Sequence, residues 1–235
     1  MESSKFFATV PNGIADLLAA ELLQLGALAV SETRAGVQFE GTIEVAYRAC
    51  LWSRLANRIL MPLAAFRADS PEALYDGIKK INWANHLSPA ETIAVDTNVS
   101  SSNITHSHYA ALKIKDAIAD QFAETVGDRP SVDLAKPDIQ VNCYLMRDQA
   151  QVYLDLSGTS LHQRNYRLTA GQAPLKENLA AALLLRARWP EIASRGDAFA
   201  DLMCGSGTLV IEAALMAADI APALTRQHFG FNGWK

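Results

Sequence analysis

The stretch Asp201-Leu202-Met203-Cys204-Gly205-Ser206-Gly207-Thr208 decides how this chain is read. Ala198–Leu202 has the apolar content of a short buried strand, and Leu209–Asp219 that of a strong helix. Strand, glycine-rich turn and helix make half of a βαβ unit. A ligand that meets backbone at the end of a strand needs residues without a Cβ, and Gly205 and Gly207 supply them. The following helix offers free N–H groups and partial positive charge, suited to a carboxylate or phosphate. Asp201, at the expected strand end, can receive an ammonium group.

Several occupants compete for such a turn. A P-loop needs Gly-Lys-Ser/Thr, whereas Gly207 is followed by Thr208-Leu209 with no lysine nearby, which rejects it. A dinucleotide fingerprint needs a third glycine where Val210 stands. A plain strand-turn-helix connection needs no ligand. S-adenosylmethionine fits the residues best, because its methionine end carries both a carboxylate and an ammonium. Cys204 has no base beside it in sequence and reads as a small packing residue rather than a nucleophile.

Upstream of the turn, Leu175–Trp189 is Ala/Leu-rich and helical, with Pro190 as its stop. Residues 157–172 hold Gly158, Gly171 and two arginines and read as a linker. The first fifty residues read β-α-β-β-α: Phe6–Val10, a helix from Ile14 to Leu25 with Gly26 at its end, Ala29–Thr33, Gly36–Glu40, then Thr42–Trp52. Arg58–Phe66 is strand-like despite Pro62, and Ser70-Pro71-Glu72 starts a helix. Ile93–Val99 alternates as a half-buried strand. Tyr109–Val126 carries an apolar helical stripe, and Asp138–Leu145 with Ala150–Leu156 form a hairpin around Met146–Gln149. Strands and helices mix without βαβ regularity, which points to a second α+β domain over residues ~50–157.

The 235 residues are 50% hydrophobic and 20% charged, which suits a globular protein and argues against disorder or low complexity. A net charge of −4 excludes whole-chain electrostatic binding of nucleic acid, so any such contact uses a local patch. Of the five successive blocks, only 151–200 is net positive, with six basic and four acidic groups. The longest apolar run, Leu179–Leu185, is too short to cross a bilayer, and the start MESSKFFATV lacks a signal-peptide pattern. Cys50, Cys143 and Cys204 are too far apart for a CxxC site, so neither a disulfide framework nor a zinc site is expected, and a cytoplasmic location is. His106-Ser107-His108 lacks a completing ligand, and no metal is expected there.

Asp201–Ala214, DLMCGSGTLVIEAA, resembles the cofactor motif of the THUMP-domain bacterial large-subunit (23S) ribosomal RNA guanine-N2 methyltransferases. Leu154–Arg167, LDLSGTSLHQRNYR, and Ala173–Leu183, APLKENLAAAL, resemble that family's linker and lead-in helix, and Lys113–Phe122, KIKDAIADQF, its THUMP helix. Ala221-Pro222 and Phe229-Gly230-Phe231 with Trp234 fit as well, and the two-module members match best. The resemblance implies an α+β N-terminal part, a ferredoxin-like segment (1–50) plus a THUMP domain (51–157). A linker (158–173) then leads into the beginning of an α/β Rossmann-like class I methyltransferase domain (174–235). It implies that Asp201, Gly205, Gly207 and Thr208 line the S-adenosylmethionine site and that the substrate is large-subunit ribosomal RNA. Met203 stands where the family often has proline, and Asn165 where an Arg-Gly-Tyr-Arg pattern has glycine; asparagine tolerates a positive φ better than most residues.

A complete Rossmann-like domain needs roughly 150–200 residues, and only residues 175–235 follow Pro174. The family's catalytic Asn-Pro-Pro-Tyr/Phe motif does not occur; after Asn178 the next asparagine is Asn232, followed by Gly233. The chain is therefore expected to be an N-terminal fragment, inactive alone, with no catalytic residue of its own and with apolar surface left uncovered. The alternative is a stand-alone THUMP-type RNA-binding module. Lys79, Lys80, Lys113, Lys115, Arg164 and Arg167 are the expected RNA contacts, through phosphates rather than bases. The polar run 100–108 reads as a solvated connection or an RNA-facing loop.

Overall fold

Apolar spacing sets the first elements of the computed structural model, which describes residues 3–166 and 175–234. Strand β1 (Ser4–Thr9) is followed by helix α1 (Ala15–Gln24), β2 (Leu28–Thr33), β3 (Gly36–Gly41) and α2 (Ile43–Trp52). The three strands make an antiparallel sheet in the order β2-β3-β1. Phe6 and Phe39 face each other across β1 and β3 with ring centroids 5.3 Å apart. Leu18 and Leu22 of α1 and Ala46 and Ala49 of α2 are buried, so each helix hides one stripe, as their i, i+3, i+4 pattern requires.

The middle of the chain forms β4 (Arg58–Arg67), α3 (Pro71–Lys79), a 3-10 turn at Trp83–Asn85, β5 (Thr92–Ser100) and α4 (Ser107–Val126). The short β6 (Ser131–Val132), β7 (Ile139–Met146) and β8 (Gln149–Asp155) complete it. These strands lie in the order β4-β8-β7-β5-β6, with β5 parallel to β6 and β7 and the remaining pairs antiparallel. Ser70 caps α3 by accepting the Ala73 N–H at 3.1 Å. Pro62 is accommodated at a bulge in β4 between Pro62 and Ala64, as a residue with no N–H to donate requires. Arg147 and Asp148, with φ of +52° and +60°, form the two-residue turn between β7 and β8. The 3-10 turn and β6, too short to show a period, are elements the sequence pattern does not reveal.

Gln121 of α4 holds the end of α3 in place. Its side chain accepts the Trp83 N–H at 3.0 Å and donates to the Lys79 and Ile81 carbonyls at 2.8 and 2.7 Å. The tail after residue 228 returns to this part of the chain. A Cβ at Gly230 would sit 2.1 Å from the Asp155 carbonyl oxygen and 2.8 Å from the Gly158 nitrogen, so only glycine permits that approach.

The last elements are α5 (Glu177–Arg186), α6 (Trp189–Ser194) and α7 (Thr208–Ala217). The single helix expected over Leu175–Trp189 is two. The chain bends at Arg188, with φ +58°, and Pro190 falls in the first turn of α6, where its missing N–H costs nothing, rather than ending α5. Ala198–Leu202, expected as a buried strand, is irregular, and Leu202 is 98% exposed. A strand needs a neighbour for its N–H and C=O groups, and none of the described strands pairs with these residues. Leu184, Trp189 and Ala213 form the small core that α5, α6 and α7 share.

The chain forms two compact units. One is Met1–Ile59 with Thr159–Gln227, and the other is Leu60–Gly158 with His228–Lys235. Among the described residues, no helix is long and apolar enough to cross a membrane.

Two expectations follow. Gly230→Ala forces backbone apart at Asp155 and is expected to cost about 1–3 kcal/mol, read from chemical denaturation followed by tryptophan fluorescence. At Asp148, the Asn103 N–H (2.8 Å) and the Ser102 hydroxyl (2.7 Å) hold the carboxyl below the usual aspartate range. A depressed folded-state value gives stability that is present above the unfolded value and lost as pH falls through the folded one. The drop in urea midpoint between about pH 6 and pH 3, either side of the ordinary aspartate value, is therefore expected to be larger in the wild type than in Asp148→Ala.

Candidate functional site

Gly205 and Gly207 adopt the left-handed conformation, with φ of +54° and +78°, and Gly207 caps α7. The Gly207 N–H bonds to the Cys204 carbonyl at 2.8 Å and the Ile211 N–H to the Gly207 carbonyl at 2.9 Å, which ties the turn to the first helical turn. A Cβ at Gly205 would meet nothing within 4 Å, and one at Gly207 only the Ile211 Cδ1 at 3.8 Å. Among the described residues nothing crowds Gly205 or Gly207, and both take a left-handed backbone that glycine adopts without strain. Thr208 is buried, with its hydroxyl 3.3 Å from that of Ser206. The Asp201 carboxylate accepts the Met203 N–H at 3.0 Å. Gly205, Gly207 and Thr208 are thus brought together at the mouth of α7, and Asp201 is joined to the same turn through Met203. Cys204, expected to pack, is exposed.

Behind the turn lies a buried polar group that the motif does not contain. Glu212, one helical turn beyond Thr208, is fully buried. One carboxylate oxygen pairs with the Arg164 guanidinium and the other accepts the Tyr166 hydroxyl at 2.8 Å. Burial pushes the Glu212 carboxyl up, and Arg164 and Tyr166 pull it back. The Tyr166 phenol is driven well above its ordinary value by burial and by the Glu212 charge, so it serves as a neutral donor. A lone acid in the apolar run Leu209–Ala218 is the signal that could have found this group, since a buried carboxylate must be paired.

The expected RNA contacts separate. Arg164 is corrected: it is 5% exposed and committed to Glu212 and to the Arg54 carbonyl at 2.5 Å, which leaves it no phosphate to meet. Arg167 lies outside the described residues. Lys79 pairs with Glu124 at 2.6 Å, and Lys115 with Asp116 at 3.0 Å. The Lys113 ammonium lies 5.8 Å from the centre of the Tyr109 ring. Lys80 lines a groove of about 670 Å³ with Phe66, Arg67, Asn82, Asn85 and His86. Burial pushes the His86 imidazole down, and its Nδ1 accepts the Trp234 indole N–H at 3.2 Å. His106 and His108 belong to no group of metal-binding residues among the described residues.

Comparison with known proteins adds the following. Residues 5–60 match the RlmL ferredoxin-like domain, residues 68–155 the THUMP domain and residues 164–234 the RMKL-like methyltransferase domain. The ribosomal RNA large subunit methyltransferase K/L of Syntrophotalea carbinolica is 58% identical over 230 residues, covering 98% of this chain and 32% of that protein. That of Methylococcus capsulatus is 60% identical, covering 98% of this chain and 31% of its own length. The chain therefore spans about a third of these curated relatives. Among solved structures, SMU.472, described as a methyltransferase complexed with SAH, is 31% identical with a TM-score of 0.85, covering all of this chain and 60% of its own. A Listeria monocytogenes protein described as a predicted N6-adenine-specific DNA methylase is 30% identical with the same TM-score and coverage. TrmN of Thermus thermophilus, at 21% identity and a TM-score of 0.62, shares the fold. Three domain matches in sequence order, and relatives of one name along nearly its whole length, make this chain similar to about a third of the length of the ribosomal RNA large subunit methyltransferase K/L proteins.

Proposed function

We propose that this chain is the RNA-binding and cofactor-holding part of an S-adenosylmethionine-dependent methyltransferase acting on the N2 amine of a guanine in large-subunit ribosomal RNA. The observation that carries the reading is the pair of left-handed glycines opening onto free space at the N-terminus of α7. Its support is the match of 164–234 to a methyltransferase domain and the SAH held by the related SMU.472 protein. In its segments the chain runs as a ferredoxin-like part, a THUMP domain, a linker and the beginning of a methyltransferase domain.

The residues present suit the cofactor's amino-acid end. The N–H groups opening α7 meet a carboxylate with the favourable end of the helix dipole. Asp201 is the acidic partner for the ammonium. When bound, S-adenosylmethionine supplies an electrophilic methyl group on sulfur. The glycine turn and Asp201 would hold the cofactor's amino-acid end.

RNA is held by the middle unit. Lys80 and Arg67 put positive charge on the groove beside the Asp76 carboxyl in its lining and the Asp69 partner of Arg67, and Lys79, Lys113 and Lys115 lie on α3 and α4. The ion pairs of Lys79 and Lys115 are partly exposed, so each contributes little to folding and phosphate can displace the acidic partner.

Titration calorimetry with S-adenosylhomocysteine tests the cofactor half. Gly207→Val is expected to abolish the binding heat, because a β-branched residue at a left-handed φ is strained by roughly 1–2 kcal/mol or more and its branches fill the ligand's space. Binding heat unchanged by Gly207→Val would remove the glycine turn from the cofactor site. For the RNA half, Lys80→Ala is expected to weaken binding of ribosomal RNA fragments uniformly across sequences. It should also reduce the slope of log K against log salt by about 1. An unchanged slope would remove Lys80 from the interface.

A further inference from the structure

Helix α7 is gripped from outside itself at three places along its length. In its middle, Glu212 is held by Arg164 and Tyr166. Asn165, in the left-handed region with φ +59°, stands between them. Past its centre, the Ala213 carbonyl accepts the Trp189 indole N–H at 2.8 Å. At its C-terminal end, one Arg54 nitrogen donates to the Ile220 carbonyl at 2.9 Å and the Leu215 carbonyl at 3.4 Å, which covers acceptors a helix end otherwise leaves to water.

These grips are not independent. The Arg164 guanidinium also donates to the Arg54 carbonyl at 2.5 Å. The Arg54 N–H and the Ser53 hydroxyl donate to the Glu21 carboxylate of α1 at 2.8 and 2.6 Å. A continuous polar path therefore runs from α1, through 53–54, to the middle and the end of α7. All of it lies within one compact unit. A buried ion pair of this kind adds little net stability over apolar packing. What it fixes is register: any slide or rotation of α7 strands a buried charge. Glu212 sits about 6 Å along the helix from Thr208, four residues at 1.5 Å each, so register fixed there is register fixed at the glycine turn.

We propose that the ferredoxin-like segment, through Glu21 and Arg54, and the Arg164-Asn165-Tyr166 turn together form a clamp that sets the position of α7. The glycine turn thereby reaches its ligand already in place. Arg54, Arg164, Tyr166 and Glu212 are positioning residues that act through the helix. The first segment then serves the cofactor turn as well as the fold around it. This rests on the cofactor reading above, and the test keeps the two apart.

The experiment uses the full chain, titration calorimetry with S-adenosylhomocysteine and amide hydrogen exchange without ligand. Tyr166→Phe removes one hydroxyl and leaves no large cavity. It is expected to weaken S-adenosylhomocysteine binding about tenfold, and to speed exchange over 204–212 about as much, the scale of a lost hydrogen bond to a charged group. Amides of β7 and β8 should exchange as in the wild type. Phe39→Leu, a core change in the same unit, is the control for stability alone and should leave affinity and the 204–212 exchange unchanged. If Tyr166→Phe does not fold, Arg54→Lys replaces it, keeping the charge while losing the fork onto Leu215 and Ile220. Wild-type affinity and wild-type exchange in the clamp variant would overturn the proposal, as would an equal loss in Phe39→Leu. The cofactor reading fails if a longer polypeptide that contains this chain and the rest of the methyltransferase domain gives no binding heat; if only this chain gives none, the exchange result alone decides the clamp.

Discussion

A carboxylate in the middle of an apolar helix constrains everything around it. Removing Glu212 from water costs several kcal/mol unless a cation and a further donor meet it, and both come from the same short stretch, Arg164 and Tyr166. Between the two, Asn165 takes the left-handed region that asparagine tolerates. The guanidinium donates onward to the Arg54 carbonyl, and Arg54 in turn closes the end of α7. One buried charge thereby dictates the path of 164–166, the placement of Arg54 and the position of the helix that opens with the glycine turn.

The middle unit obeys a different economy. Apart from the buried Asp155, most of its charges lie at or near the surface, and several are already matched: Lys79 with Glu124, Lys115 with Asp116 and Arg129 with Asp120. Such pairs are weak in water because both ions remain hydrated and salt screens them. That weakness suits an RNA-binding face in a chain of net charge −4. A polyanion brings denser charge than any single acidic side chain and releases counterions as it binds. Gln121 ties Lys79 and Ile81 to α4 through backbone carbonyls, so the backbone beneath Lys79 is held independently of its side-chain ion pair.

Much of this was legible in the sequence. The alternation of 93–99, the stripe of 109–126, the Ser70 cap and the β7–β8 hairpin all appear in the structure within a residue or two of the expected limits, because each rests on a local period or a local hydrogen bond. The tight glycine turn ahead of α7 was legible too, though the sequence pointed to the missing Cβ of Gly205 and Gly207 and not to their left-handed backbone. Arg164 was misread because charge counting sees an arginine in a basic block and cannot see the buried partner 48 residues away. Ala198–Leu202 was misread because apolar content alone does not make a strand: the ladder needs a partner, and sequence pattern says nothing of whether one is adjacent. The break at Arg188 was hidden since proline is as much a starter of helices as a stop.

That misread strand bears on how the turn is held. In a strand-turn-helix unit, the strand is commonly treated as the element that aims the turn, yet here 198–202 pairs with none of the described strands and Leu202 stands in solvent. Gly205 and Gly207 nonetheless take their left-handed conformations, and α7 is regular from Thr208 onward. Among the described residues, order reaches the turn from the helix side. Trp189 on the Ala213 carbonyl, Arg54 on the C-terminal carbonyls and Arg164 with Tyr166 on Glu212 supply it. Each of these contacts lies outside the motif that marks the turn, so under the proposed clamp residues far from the motif in sequence set where the turn stands.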